Sequence, residues 1–248
     1  METENERILR RIRTRFNATC ADYGLIADGD KILVGVSGGK DSLALMELLA
    51  ARSRVLKPRF HVEAAYVAMR NIPYQADTAY LCRLAEQNGL QLHVVETSFD
   101  PATDRRRTPC FLCSWNRRKA LFELAKALGC NKIALGHHMD DVLVTLLMNE
   151  TFQGAFGTMP PSLTMDKFDM TIIRPLCRIE ERDLAAMAAI RGWQRQTKNC
   201  PYESDSHRAQ MRDILDRLTA MNPEAKYSLW GAMTNVQKEL LPPATIEK

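Results

Sequence analysis

The sequence predicts an α/β fold: a doubly wound parallel sheet followed by a helical C-terminal tail. Three observations carry that prediction. Short apolar, β-branched runs such as Lys31-Ile32-Leu33-Val34 alternate with longer stretches of helical period, a pattern of βα units rather than of hairpins. The first run leads straight into a glycine-rich turn, Gly35-Val36-Ser37-Gly38-Gly39-Lys40-Asp41-Ser42, and then into Leu43-Ala44-Leu45-Met46. A composition of 46% hydrophobic and 26% charged residues over 248 positions suits one sizeable core with appendages.

Taken in order, Ile8, Ile12, Phe16 and Cys20 recur every four residues and predict an amphipathic helix that ends near Gly24. Residues 31–36 form the first strand, 41–52 a helix, 62–67 a second strand, 79–87 a helix and 90–95 a third strand. A helix at 113–128, a strand at 132–135 and a helix at 140–149 follow. Glycines and prolines in 154–161 interrupt the alternation, and the segments 162–165 and 170–173 read as a short hairpin before a helix at 180–191. Beyond Cys200 the chain reads as two helices split near Asn222-Pro223. The expected organisation is a lead-in helix over 1–30, an α/β catalytic domain over 31–200 and a helical tail over 201–248.

No apolar run approaches the roughly 18 residues of a membrane span, and Met1-Glu2-Thr3-Glu4 opens a charged segment without the apolar centre of a signal peptide. A cytoplasmic protein with no membrane partner is expected. Seven cysteines, an odd number, do not suggest a disulfide framework, and an intracellular Cys-x-x-Cys points to metal or redox chemistry. The net charge of +4 and pI near 8.7 are mild, so distribution matters more. Arg10, Arg11, Arg13 and Arg15 crowd the first helix; Arg105, Arg106 and Arg107 form a run; Arg117, Arg118 and Lys119 follow the cysteine pair. The last two clusters are expected to face RNA, the alternative being a solvated surface.

In a doubly wound sheet, ligands bind where strands end and helices begin, and the glycine-rich turn stands at such a place. It is not a Walker loop: Val34 and Asp41 occupy positions that would need Gly and Ser or Thr. Gly38 and Gly39 let the backbone approach an anion, while Ser37, Ser42, Lys40 and the helix N–H groups supply donors. Gly136-His137-His138-Met139-Asp140-Asp141 follows the strand at 132–135 and opens a helix at the same sheet edge. Its histidines can contact phosphate or base. Asp140 and Asp141 can hold Mg²⁺ or position a nucleophile, or else simply cap the helix. Cys110 and Cys113, at a helix start, can grip one metal centre but do not close it. Cys20, Cys82 and Cys130 are expected to be buried packing residues, and Cys177 is ambiguous.

The segment at 37–42 resembles the PP-loop of the ATP pyrophosphatases, enzymes of the adenine nucleotide alpha hydrolase-like fold that split ATP between its α- and β-phosphates and leave AMP on a substrate. The resemblance implies that Ser37, Gly38, Gly39, Lys40, Asp41 and Ser42 hold pyrophosphate as leaving group, with Gly136 and His137 completing the ATP site. Gly136-His137-His138-Met139-Asp140-Asp141 and Pro109-Cys110-Phe111-Leu112-Cys113 with the following arginines resemble the tRNA 2-thiocytidine synthetase family of PP-loop enzymes, and Cys200 resembles that family's distal cysteine. The motifs fall in family order along nearly the whole chain. Two departures stand out: Cys200-Pro201-Tyr202-Glu203 where many members carry a second Cys-x-x-Cys, and the end of the second strand, Tyr66-Val67-Ala68-Met69-Arg70-Asn71-Ile72-Pro73, where an acidic residue is common.

What the resemblance implies is an ATP-dependent tRNA thiolase. It would adenylate the C2 oxygen of a tRNA cytidine at position 32 and replace it with sulfur. Lys40, Asp41, Asp140 and Asp141 would be catalytic, with Mg²⁺ on the nucleotide. Cys110, Cys113 and Cys200 would hold a [4Fe–4S] cluster, three thiolates leaving one iron open. Arg105, Arg106, Arg107, Arg117 and Arg118 would contact tRNA. A sulfur donor such as a cysteine desulfurase is the expected partner, and a homodimer is one compatible assembly. Alternatives stay open: a structural zinc completed by Cys177 or a histidine, a redox dithiol, a PP-loop ligase with a nitrogen nucleophile such as a lysidine synthetase or amidotransferase, or a non-catalytic zinc and nucleotide-binding RNA adaptor. The cysteine pair argues against the nitrogen nucleophile. Retention of both phosphate-facing motifs argues against the adaptor.

Overall fold

The structure, a computed structural model, describes residues 2–72, 76–100, 108–165, 169–194, 196 and 207–242. Its chain divides into two compact units, one made of Met1–Asp141 with Pro160–Ser206 and the other of Val142–Met159 with His207–Lys248.

The first unit is built on a six-stranded sheet. Its strands are β1 (Lys31–Gly35), β2 (His61–Met69), β3 (Leu92–Thr97), β4 (Lys132–Ala134), β5 (Ser162–Met165) and β6 (Met170–Ile173), in the spatial order β3-β2-β1-β4-β6-β5. Every neighbouring pair is parallel except the β5–β6 hairpin. Ile32, Leu33 and Val34 of β1 are wholly buried, as a central strand covered on both faces requires. The order reverses at β1: it pairs with β2 on one side (Gly35 opposite Ala65) and with β4 on the other (Val34 opposite Ala134). The crevice between the carboxyl ends of β1 and β4 is therefore the topological switch point, the default ligand site of such sheets.

Helices α1 (Glu4–Asp22), α2 (Lys40–Ser53), α3 (Thr78–Gln87), α4 (Pro109–Ala127) and α6 (Glu181–Arg191) flank the sheet, and α5 (Met139–Gln153) begins in this unit. Thr3 and Glu6 form a capping box at the start of α1, and Ile12, Phe16 and Cys20 bury its apolar face, as their spacing predicts. That face packs against α2 and α6. At the amino end of the sheet, opposite the crevice, the buried Asp30 carboxylate accepts from Lys132 Nζ (2.7 Å), Asn131 Nδ2 (2.8 Å) and the Ala27 N–H (2.6 Å). This fastens the start of β4 to the turn before β1.

Three local expectations need correction. Helix α4 starts at Pro109 rather than near 113, because the Thr108 hydroxyl accepts from the Phe111 N–H at 3.3 Å and proline suits a first turn. Strand β3 starts at Leu92 rather than 90, since the Leu90 N–H is still tied to Ala85 O at 2.9 Å past a left-handed Gly89. Cys82 is exposed rather than buried: the buried face of α3 runs through Tyr80, Leu81 and Ala85, and Cys82 lies one step round the helix from it. Cys20 and Cys130 are buried as expected, and Cys177 is fully buried.

In the second unit, α7 (His207–Met221) and α8 (Ala225–Ala232) are separated at Asn222-Pro223, whose asparagine side chain accepts from the Glu224 N–H at 3.0 Å. Met211 and Leu215, four residues apart, are the buried positions of α7. The His207 ring lies 4.6 Å from that of Phe152, and Asn149 Nδ2 donates to Gly157 O at 2.7 Å.

Candidate functional site

At the switch point lies a cavity of about 260 Å³, lined by Gly35, Val36, Ser37, Asp41 and Ser42 from the first motif, Leu135, Gly136 and His137 from the second, Ala65, Tyr66 and Val67 from β2, and Arg117 and Leu121 from α4. The two motifs, about a hundred residues apart in sequence, form one wall because β1 and β4 are neighbours. Their join is tight. A Cβ on Gly136 would lie 3.1 Å from the Asp41 carbonyl carbon, 3.1 Å from Ser42 N and 3.2 Å from Asp41 O, so only glycine lets the second loop reach the first turn of α2.

The first loop is held open by its own serines. Ser42 Oγ accepts from the Ser37 N–H (3.0 Å) and hydroxyl (3.2 Å) and donates to Gly39 O (2.8 Å). Gly38 sits at φ +82°, a conformation that other residues rarely adopt. Gly39 caps α2 without a side-chain hydrogen bond, which leaves the helix N-terminus, with its first-turn N–H groups and positive dipole end, facing the crevice.

Lys40, the first residue of α2, lies 2.9 Å from Glu181 Oε1 and 3.2 Å from Asp41 Oδ1. Burial works against its charge, but the Glu181 hydrogen bond and the Asp41 and Glu181 charges outweigh it and raise its pKa above the ordinary lysine value. Asp140, only 4% exposed, accepts the backbone N–H of Glu181 at 2.8 Å. One of its oxygens thus serves the N-terminus of α6. Asp141 Oδ2 accepts from the His138 N–H at 3.3 Å, and the buried His138 ring lies 3.4 Å from Asp141 and 3.6 Å from Asp140. The start of α6 is braced further by Arg11 on Asp183 (2.7 Å), Arg15 on Asp183 (3.5 Å) and Arg182 on Glu180 (2.9 Å).

Helix α4 carries the remaining described candidates on distinct faces. Arg117 turns inward to line the cavity, although its sequence position suggested an RNA-facing surface. Its Nε is sealed from solvent and donates to no group among the described residues. A buried guanidinium N–H without an acceptor is costly, and an anionic oxygen in the cavity is the natural partner. Cys110 stands seven residues before Arg117 and eleven before Leu121, so helical phase puts all three within about 20° of one face. Cys110 is exposed and Cys113 half-buried. Arg118 is exposed, as are Phe111 and Trp115, and Lys119 Nζ lies 5.7 Å from the centre of the Trp115 ring. Cys200 and Arg105, Arg106 and Arg107 lie outside the described residues. Gln196, four residues before Cys200, approaches the loop: a Cβ on Gly38 would lie 3.0 Å from its Cγ.

Sequence reasoning did not single out Glu181 or Tyr66, nor the inward turn of Arg117. Glu181 is 141 residues from Lys40, and no local spacing links them. The phase of α4 could have separated Arg117 from Arg118, since Leu121 and Ala125 continue the inward face.

Thiol donors at one helix start suit an iron–sulfur cluster, and Cys110 and Cys113 stand one turn apart at the start of α4. Among the described residues, no group of three His, Cys, Asp or Glu side chains could hold a metal ion. Cys177 is wholly buried, and that burial pushes its thiol up to about 12. For ATP the fit is direct, with donor-rich loops, a helix N-terminus and the sealed Arg117 Nε–H around one cavity.

Comparison with known proteins agrees with this picture. Residues 6–218 match the family model described as PP-loop domain. Over 238 residues the chain is 34% identical to the tRNA-cytidine(32) 2-sulfurtransferase of Geobacter sulfurreducens, covering 94% of this chain and 92% of that one. Over 236 residues it is 36% identical to the protein of the same name from Geotalea daltonii, covering 93% of each. Among solved structures it is similar to the U34-tRNA thiolase NcsA from Methanococcus maripaludis with its [4Fe–4S] cluster, with a TM-score of 0.78, 26% identity and coverage of 97% of this chain and 83% of that one. With a PP-loop domain over most of its length and relatives of one name matched almost end to end, the chain belongs to the tRNA 2-thiocytidine synthetase family of PP-loop proteins.

Proposed function

We propose that the protein is an ATP-dependent tRNA thiolase that exchanges the C2 oxygen of cytidine 32 for sulfur. The observation that carries this reading is the single ridge of α4 on which Arg117 and Leu121 line the nucleotide cavity while Cys110 stands about 10 Å farther along the axis. Activation and sulfur delivery are thereby built on one helix.

The PP-loop, through Ser37, Gly38, Gly39, Ser42 and the N–H groups of α2, receives the β- and γ-phosphates, and Lys40 with the helix dipole neutralises the charge that grows on them as the α–β bond breaks. Asp41 and Asp141 would hold a nucleotide-bound Mg²⁺. Arg117 gives its buried N–H to the α-phosphate, stabilising the phosphorus centre that the cytidine C2 oxygen attacks; pyrophosphate departs and AMP remains on that oxygen. Tyr66, Leu121 and Leu135 give the cavity its apolar wall and exclude water, so that the activated base is not lost to hydrolysis. AMP then leaves with the original oxygen when sulfur bonds to C2. Cys110 and Cys113, with Cys200, would hold a [4Fe–4S] cluster, which would supply sulfur for that exchange. Outside the cavity, Arg118, Lys119 and the exposed Trp115 form a cationic and aromatic face suited to single-stranded RNA, and Arg105, Arg106 and Arg107, just ahead of α4 in sequence, would be further tRNA contacts.

No helix among the described residues is long and apolar enough to cross a membrane; the cytoplasm, where tRNA and ATP meet, is the proposed location, with a cysteine desulfurase as sulfur source and a homodimer as a compatible assembly. Mass spectrometry of tRNA nucleosides from a deletion strain tests the reading. Loss of 2-thiocytidine, restored by the wild-type chain but not by Lys40→Ala, is expected. An unchanged set of thiolated nucleosides would overturn it, and loss of a 2-thiouridine alone would move the target base.

A further inference from the structure

Lys40, the cation of the PP-loop, already has a carboxylate in hand. Its ammonium lies closer to Glu181, at 2.9 Å, than to Asp41 beside it, at 3.2 Å. Glu181 reaches it from a fixed base, because its own backbone N–H is bound by the buried Asp140 at 2.8 Å. The acidic residues on either side of it are matched by arginines: Asp183 by Arg11 and Arg15, and Glu180 by Arg182. Within this acidic helix start, Glu181 is the side chain turned to the loop's lysine. At 35% exposure, it can also swing into water without loss of solvation.

We propose that Glu181 is the exchange partner of Lys40, a positioning residue that holds the lysine between turnovers, yields it to the phosphates when ATP binds, and reclaims it as pyrophosphate leaves. This rests on the reading of the loop as a pyrophosphate site and goes beyond it by assigning the step that clears the product. The charge balance explains the need. Pyrophosphate gathers loop N–H groups, a helix N-terminus and a lysine, all favourable, and a site so rich in donors releases its product slowly. A carboxylate anchored within hydrogen-bond distance of the same ammonium competes for it and repels the departing anion.

The sign of the effect separates this role from a structural one. Binding of inorganic pyrophosphate is measured by calorimetry on the full chain, with and without Mg²⁺, for wild type, Glu181→Gln, Glu181→Asp and Lys40→Ala. Glutamine keeps the backbone N–H that Asp140 uses and removes the charge. Glu181→Gln is expected to bind pyrophosphate about three- to fivefold tighter, the scale of one partly exposed ion pair, and to lower the KM for ATP and kcat together in RNA-dependent turnover. Glu181→Asp keeps the carboxylate and is expected to stay near wild type, while Lys40→Ala loses most of the binding. Equal or weaker binding by Glu181→Gln overturns the exchange role, and weakening only with Mg²⁺ present would make Glu181 a metal ligand instead. Equal binding by wild type and Lys40→Ala would overturn the pyrophosphate reading itself, and the exchange with it.

Discussion

Gly136→Ala adds one methyl group at the place where the two phosphate-facing loops meet. The added carbon would stand 3.1 Å from the Asp41 carbonyl carbon, 3.1 Å from Ser42 N and 3.2 Å from Asp41 O, against the 3.5–4.0 Å or so at which such atoms rest. All three neighbours are backbone atoms of the first turn of α2, so no side chain can rotate away. The loop 136–138 must retreat by a few tenths of an ångström. Overpacking of this kind costs about 1–3 kcal/mol, which for a chain of this size lowers Tm by roughly 2–4 °C per kcal/mol. Nucleotide binding should suffer as well, because His137 and the loop serines line one cavity and the displacement moves them apart. Thermal unfolding followed by circular dichroism, with ATP binding by calorimetry, measures both. Gly157→Ala is the control: a Cβ there meets nothing within 4 Å, and its stability should stay within about 0.5 kcal/mol of wild type. If Gly136→Ala melts within about 1 °C of wild type and binds ATP unchanged, close approach is not what selects glycine at this position.

Three further outcomes follow from the same geometry. Cys110→Ala and Cys113→Ala, reconstituted anaerobically, should each lose the iron–sulfur absorbance near about 400 nm, whereas the exposed Cys82→Ala should keep it; a colourless wild type with stoichiometric zinc would refute the cluster. Arg118→Ala should weaken tRNA binding and flatten its salt dependence by about one unit of slope, while Arg117→Ala should weaken ATP binding; identical effects of the two on RNA alone would contradict their assignment to different faces. Asp30→Asn should destabilise the fold by about 3 kcal/mol near neutral pH by leaving Lys132 buried without its counter-charge. Burial alone would raise the Asp30 carboxyl, but the Lys132, Ala27 and Asn131 hydrogen bonds outweigh it and hold its pKa below the ordinary value. Its contribution is therefore complete above the unfolded pKa of about 3.9 and fades as pH falls through the lower folded value. Urea titrations should show wild type and variant converging in that acid range and not at alkaline pH.

The sheet was legible because its strands are short apolar runs bounded by punctuating glycines, and the glycine-rich turn after β1 marks its functional edge without any tertiary information. The hairpin of β5 and β6 and the break at Asn222-Pro223 were visible for the same local reasons. Harder to read were features decided by helical phase or by distant pairing. Cys82 looks like a core residue by type, yet it falls just off the buried stripe through Tyr80, Leu81 and Ala85. Arg117 and Arg118 look equivalent as adjacent charges, but the 100° step between them sends one into the cavity and the other to solvent. Arg11 and Arg15 stand in the sequence only as charges crowding the first helix, and their pairing with Asp183 has no local signal. Glu181 carries no local mark at all, since its meaning depends on a lysine at the other end of the sheet's connectivity.

That bracing of α6 by α1 has a consequence for synthesis. Arg11 and its partner Asp183 are 172 residues apart, so at a translation rate of about 5–20 residues per second the first helix leaves the ribosome roughly 10–35 seconds before the helix it clasps. During that interval α1 can dock on α2, which follows it closely, but the part of its surface that packs on α6 has no cover. Helix α1, made well before α6, thus reaches its final surroundings late, and Lys40 acquires its carboxylate neighbour only when that closure brings the start of α6 into place.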